Sequence, residues 1–220
     1  MQWFRNLKIA NKLFLSFGLM LAAMLFLGAF AVVRLQAVNA SALEIRDSWL
    51  PSVRLTQALA GGAANARIQD YKRVMAATPA QRAAADLQQE KWAQSIAALR
   101  KEYERYITSD EERRVYEAYA AAFTSSLPVR DEMERLSDEG RTADATALLL
   151  GKSLEMYDTR RDLLVKLSDI NEAGAKAAAE RGQQLYVQAR QAIIAVVLVA
   201  ALLGIVLAVL IARMISRPII

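Results

Sequence analysis

The 220 residues include no cysteine and no histidine. Without thiols there is no disulfide framework, and without imidazole there is no nitrogen ligand for haem or zinc. No cofactor is expected, and any part of the chain outside the cytoplasm must be held by packing alone. Signs of catalysis are equally scarce. There is no phosphate loop, no metal-ligand cluster and no His or Cys nucleophile system, and the carboxylates fall at helical spacings typical of solvated faces. The chain is therefore read as a non-enzyme. The alternation of β-branched residues that marks strands is missing too, while Ala, Glu, Arg, Leu and Gln, all good helix formers, dominate. The expected fold class is all-α.

Charge is absent from two stretches, Leu13–Val33 and Gln191–Ala212, which contain no Asp, Glu, Lys or Arg. At about 1.5 Å of rise per residue, each is long enough to cross a hydrocarbon layer of roughly 30 Å. The basic residues Arg5, Lys8 and Lys12 precede the first, Arg213 and Arg217 follow the second, and no acid accompanies them, so the positive-inside bias puts both termini in the cytoplasm. The whole chain has 28 Lys and Arg against 23 Asp and Glu. The five flanking cations account for that surplus, the middle is neutral, and nothing calls for nucleic acid. The expected organisation is a cytoplasmic N-terminus over 1–12, a span over 13–33, an external domain over 34–190, a second span over 191–212 and a cytoplasmic start over 213–220. The alternative, a cleaved signal sequence ending near Ala29–Arg34, is disfavoured because the apolar run exceeds the usual 7–15 residues.

The middle reads as four helices. From Arg34 to Thr78, the apolar positions Leu35, Val38, Ala42, Ile45, Trp49 and Val53 recur at steps of three and four. Pro51 should kink or offset this helix, and Gly61-Gly62 marks a weak or closely packed point. Thr78-Pro79 is a helix start, a capping hydroxyl followed by a proline at the first helical position. The second helix then runs to about Ile107 on a stripe of Trp92, Ile96, Leu99, Tyr103 and Tyr106. Thr108–Glu112 caps the third, whose stripe Val115, Tyr119, Ala122, Ser126, Val129, Met133 and Leu136 continues through Pro128. Gly140 ends it. Arg141–Leu150 begins the fourth, offset at Gly151, and Met156, Arg160, Leu163, Leu167, Ile170, Gly174 and Ala177 carry the seam towards the second span. Short connections and two ends entering the membrane on one side make an antiparallel up-down-up-down four-helix bundle. The series Ala200-x-x-x-Gly204-x-x-x-Ala208 could form a close helix contact in the membrane.

In such a bundle Arg67 falls on the seam line through Ala60, Ala63 and Val74, where an apolar residue is expected. Arg160 holds the same kind of position on helix four, flanked by Tyr157 and Arg161, and Arg130 lies beside Val129. Together with Tyr71, these residues form the candidate ligand-binding set: Arg67, Tyr71, Arg130, Tyr157, Arg160 and Arg161. They suit a carboxylate, through bidentate arginine contacts and a phenol hydrogen bond. The plain alternative is local pairing, of Arg67 with Asp70 and of Arg160 with Glu155, Asp158 or Asp162. Tyr71, Tyr103, Tyr106 and Tyr119 can equally be core or rim packing.

The opening Trp3-Phe4-Arg5-Asn6-Leu7-Lys8-Ile9-Ala10-Asn11-Lys12-Leu13, the two spans, the four-helix interval and the closing Ile215-Ser216-Arg217-Pro218-Ile219 together resemble bacterial methyl-accepting chemotaxis receptors with a four-helix-bundle ligand-binding domain. Arg217-Pro218-Ile219 looks like the opening of a HAMP linker. The resemblance implies a homodimer in the inner membrane, open to assembly into larger receptor clusters. It also implies a periplasmic bundle that binds a small molecule, and a displacement of the second span that reaches a kinase and adaptor through a cytoplasmic hairpin. Since the sequence stops at Ile220, a sensing portion without that hairpin is expected. The same portion could feed a histidine kinase or a cyclase, or serve as a ligand-free spacer. Aspartate- and serine-sensing relatives carry three arginines at steps of five and four on the first helix; here Ala58 and Ala63 occupy the two preceding positions. Their Pro-Thr-Gln motif is replaced by Leu149-Leu150-Gly151-Lys152-Ser153. An organic or aromatic acid is therefore the favoured ligand.

Overall fold

The computed structural model describes residues 9–216, with the backbone alone described for Ile9, Lys12, Ile211 and residues 214–216. The Trp3–Lys8 part of the opening motif, the cations Arg5 and Lys8, and the linker-like Arg217-Pro218-Ile219 lie outside the described residues. The elements in chain order are α1 (Ile9–Glu44), a π-helical turn (Ile45–Trp49), α2 (Leu50–Val74), α3 (Pro79–Tyr103), α4 (Asp110–Asp138), α5 (Thr142–Leu150) and α6 (Lys152–Ser216). Among the described residues all regular structure is helical, and the architecture is the all-α four-helix bundle the sequence leads one to expect. The chain divides into two units, residues 1–43 with 178–220 and residues 44–177.

In the first unit, parts of α1 and α6 are long and apolar enough to cross a membrane, and neither apolar window is buried within the protein. Phe14 is 79% exposed and Leu25 72%, so the largest side chains face outward. Glycines face the neighbouring helix at two points. A Cβ added to Gly204 would meet Met20 Cε at 3.3 Å, and one added to Gly182 would meet Ser41 Cβ at 3.2 Å, so these glycines permit close helix approach.

The second unit is a bundle whose ends are set by local chemistry. Thr78 and Gln81 form a reciprocal capping box with Pro79 just inside the helix, and the Ser109 hydroxyl accepts from the Glu112 N–H. At the end of α4, Gly140 has φ +75°. The Arg141 N–H reaches back to the Leu136 carbonyl at 2.9 Å and the Gly140 N–H to that of Ser137 at 3.3 Å, a Schellman stop. Pro51 produces the expected offset in a specific form. It has no N–H to give the Asp47 carbonyl, and the preceding turn widens so that the Leu50 N–H bonds to the Ile45 carbonyl.

Three expectations need correction. The buried face of helix one beyond the π turn is Ser52, Leu55, Thr56 and Leu59 rather than the line ending at Val53, because the turn inserts a residue and rotates every later position. Helix two stops at Tyr103 instead of near Ile107, where the Tyr103 hydroxyl donates to Glu112 Oε1 at 2.7 Å and the Thr108 N–H to Glu112 Oε2 at 2.9 Å. On α6 it is Ala178 that is buried, while Ala177 is exposed.

Two apolar clusters form the core. One joins Leu55, Leu59, Ile96, Tyr119, Leu164 and Leu167 with their neighbours; the other joins Val74, Met133, Leu136, Ala145 and Leu149. Between them, along the helices, lies a layer containing Arg67, Asp70, Gln89, Arg130 and Arg160.

Candidate functional site

The polar layer encloses a cavity of about 50 Å³. Its room comes from small residues, Ala63 and Ala66 on α2 and Ala93 on α3, facing the larger Ile96, Tyr119 and Phe123. Arg67, Arg130 and Arg160 line it, each from a different helix.

Arg67 is only 8% exposed. Its guanidinium donates to the Leu149 carbonyl at 3.2 Å, to the Tyr71 hydroxyl at 3.3 Å and to Ser153 Oγ at 3.4 Å, and it lies 5.1 Å from the Tyr71 ring and 5.0 Å from the Tyr157 ring. The Leu149 carbonyl sits in the last turn of α5, where the break at Gly151 ends the helix and its final carbonyls seek outside donors. The helix break and the buried arginine satisfy each other. Arg67 forms no ion pair with Asp70, so the local pairing considered from sequence does not occur.

Arg160 reaches the carbonyl of Met156 on its own helix at 3.3 Å and lies 5.8 Å from the Phe123 ring, with no carboxylate in ion-pair range. Burial holds its pKa below the ordinary arginine value, an effect only partly countered by Tyr119 and Asp70. Arg130 is 3.4 Å from Glu134 Oε1, and its Nε is buried without a hydrogen-bond partner. Arg73 makes the contrast. That residue, 6% exposed, is paired with Asp86 at 2.7 Å and Asp138 at 2.8 Å and also bonds Ser137, tying the end of α2 to α3 and α4. A buried cation with two carboxylates is structural glue; Arg67 and Arg160 have none.

The one acid on the cavity wall is Asp70. It accepts a 3.3 Å hydrogen bond from Gln89 Nε2, and burial pushes its carboxyl up to about 6, opposed by Arg130, Arg160 and Arg67 and reinforced by Glu134. Gln89 Oε1 is buried without a partner.

Of the six residues singled out from sequence, Arg67, Arg130 and Arg160 converge on the cavity, and Tyr71 and Tyr157 stack on Arg67. Arg161 is not brought there: it is paired with Asp162 at 3.0 Å and Asp158 at 3.1 Å on the exposed side of α6. Asp70, Gln89 and Ser153 were missed. Asp70, one turn from Arg67, carried a usable signal; Gln89 and Ser153 carried none.

A second buried polar cluster lies at the α3–α4 turn. Glu112, Asn171 and Tyr103 are all fully buried, and Asn171 Nδ2 donates to the Tyr103 hydroxyl at 2.9 Å and to the Leu167 carbonyl at 2.8 Å. Burial and the Glu112 carboxylate drive the Tyr103 phenol far above its ordinary pKa, so it stays a neutral donor. This cluster ties α3, α4 and α6 together.

Residues 6–186 match a family profile described as a four helix bundle sensory module for signal transduction. Over 117 residues, 53% of this chain, the sequence is 29% identical to a protein of Acetivibrio thermocellus described as a sensory transducer protein. The matched region spans 21% of that relative's length. The role of this family is sensory signalling rather than catalysis, and the chain belongs to it: it is a four-helix-bundle sensory module of the chemotaxis receptors.

Proposed function

We propose that this module is a two-pass inner-membrane receptor segment whose bundle, residues 34–190, faces the periplasm and binds a small carboxylate between Arg67, Arg130 and Arg160. The spans are residues 13–33 and 191–212, and the flanking cations put both termini in the cytoplasm. The receptor works as a homodimer that controls chemotaxis through a HAMP linker beginning near residue 213. The observation that carries the reading is the pair Arg67 and Arg160, held inside the bundle with no carboxylate in ion-pair range of either, Asp70 acting on them only at longer range. Buried charges are normally paired, and a ligand carboxylate is the missing counter-ion.

Transmission follows from where these residues sit. Arg67 is on α2, Arg130 on α4 and Arg160 on α6, the helix that continues into the second span. A carboxylate bridging them favours one packing of these helices, and it can shift the equilibrium only by the difference in its affinity for the two packings. A tenfold preference corresponds to about 1.4 kcal/mol.

The test is calorimetric titration of the full chain in nanodiscs with a panel of organic and aromatic acids, for the native protein and for Arg67→Gln and Arg160→Gln. At least one acid should bind, and each substitution should weaken it by about tenfold or more. A blank across the panel, or equal affinity in all three proteins, would refute the proposal.

A further inference from the structure

We infer that the cavity selects a small hydroxycarboxylate, an anion that also donates one hydrogen bond, over the plain carboxylate and over the matching amino acid. This rests on the carboxylate reading above and narrows it.

The cavity wall has unmet needs of both kinds. On the donor side are the guanidinium groups of Arg67, Arg130 and Arg160, with five N–H each; the buried Arg130 Nε makes no hydrogen bond and has only the 3.4 Å ion-pair contact with Glu134 Oε1. A carboxylate answers them. On the acceptor side is Gln89 Oε1, buried without a donor. The orientation of that amide is fixed by its neighbour: Nε2 donates to Asp70 Oδ1, and turning the amide over would set two acceptors against each other. Asp70 itself receives only that one long bond. A ligand bearing carboxylate oxygens alone leaves Gln89 Oε1 orphaned, whereas a hydroxyl beside the carboxylate supplies the proton it lacks.

Charge decides between hydroxyl and ammonium. Three arginines face the layer, against Asp70 and Glu134, so the site carries a net positive charge. A hydroxycarboxylate brings one negative charge and no positive one. An amino acid brings no net charge and sets a cation among three others in a poorly solvated space.

Size narrows the class further. A cavity of about 50 Å³ holds only a few water molecules, well short of the roughly 150 Å³ that admits a benzene ring. Acids of two or three carbons can be accommodated by outward movement of the arginine side chains; an aromatic ring cannot.

The experiment titrates the full chain in nanodiscs at pH 7 with two matched series: acetate, glycolate and glycine, then propionate, lactate and alanine. Glycolate or lactate should bind on the order of ten- to a hundredfold more tightly than its hydroxyl-free analogue, with the amino acid weakest. Gln89→Met, close in length but unable to accept, should bring the ratio of hydroxy acid to plain acid towards one. If plain acids bind as tightly as hydroxy acids, or amino acids bind best, the hydroxyl preference is overturned while the carboxylate site stands. If no acid of either series binds but larger acids do, the size argument is overturned. A blank for both series and for the wider acid panel overturns the carboxylate site and this inference together.

Discussion

Replacing Gly174 with alanine should destabilise the bundle, and the same replacement should stabilise it once Trp49 has been removed. The π turn before Pro51 delivers the Trp49 indole onto α6, where its Nε1 is anchored by a 3.0 Å hydrogen bond to Glu44 Oε1. The ring lies directly on Gly174: a Cβ built there would fall 2.7 Å from Trp49 Cε3 and closer still to two other ring atoms. No real Cβ tolerates that, so the new methyl group must push the indole aside, an overpacking cost of about 1–3 kcal/mol. In a Trp49→Ala background the obstacle is gone. What remains is the helix preference of alanine over glycine, about 1 kcal/mol in the opposite direction. The helix preference acts in both backgrounds and cancels, so the double-mutant cycle should show a coupling of about 1–3 kcal/mol, the overpacking cost itself, and a change of sign. The assay is denaturant unfolding of the full chain in detergent, followed by helical circular dichroism, for the native protein, the two single variants and the double variant. Destabilisation of equal size in both backgrounds, or stabilisation by Gly174→Ala in the native background, would show that the indole does not close this contact.

Asp70→Asn should alter the pH dependence of stability. Because burial raises this carboxyl from the ordinary 3.8 to about 6, against Arg67, Arg130 and Arg160 and with Glu134 and Gln89 as further neighbours, the native state keeps the proton after the unfolded chain has lost it. Stability linked to Asp70 is thus highest below about pH 4 and falls until about pH 6; at 1.36 kcal/mol per pH unit the fall is about 3 kcal/mol. Melting curves from pH 4 to 7 should show the Asp70→Asn variant gaining on the native protein across that window, and parallel curves would refute the assignment. Tyr103→Phe removes the hydroxyl that donates to the buried Glu112 and accepts from Asn171, and should cost about 1.5–3 kcal/mol in denaturant unfolding. A cost below about 0.5 kcal/mol would mean that water replaces the hydroxyl. Gly140→Ala meets no neighbouring atom but keeps φ at +75°, so it should cost about 1–2 kcal/mol from backbone strain alone, with Gly140→Asn milder; equal stability of the Gly140→Ala variant and the native protein would contradict this.

What could be read in advance was governed by distance along the chain. The caps at Thr78 and Ser109 and the stop at Gly140 depend on groups within about one helical turn of each other, and all three were legible. The face of helix one was only partly legible: before the π turn Ser41 is buried while Leu35 and Ala42 of the expected stripe are exposed, and the turn itself shifts the phase again. An inserted residue turns everything after it by about 100°, so a stripe counted from Leu35 through the π turn to Val53 arrives out of phase. The line through Ala60, Ala63 and Val74 lies wholly beyond that turn and stays in phase, and for this reason the oddity of Arg67 was visible. The partner of Arg67 was not visible. The nearest acid, Asp70, suggested a local pair, yet the guanidinium crosses to the Leu149 carbonyl, 82 residues away. The Tyr103, Glu112 and Asn171 cluster was hidden in the same way, since Tyr103 and Asn171 are 68 residues apart and each alone looks like ordinary packing or solvation. A sequence thus discloses where a polar group violates the apolar pattern, because periodicity is local, but not what satisfies it, because satisfaction is tertiary. Only the fold separates Arg67 from Arg73, two buried arginines of one helix: Arg73 meets two carboxylates, whereas Arg67 is held by the Leu149 carbonyl, two hydroxyls and two aromatic rings.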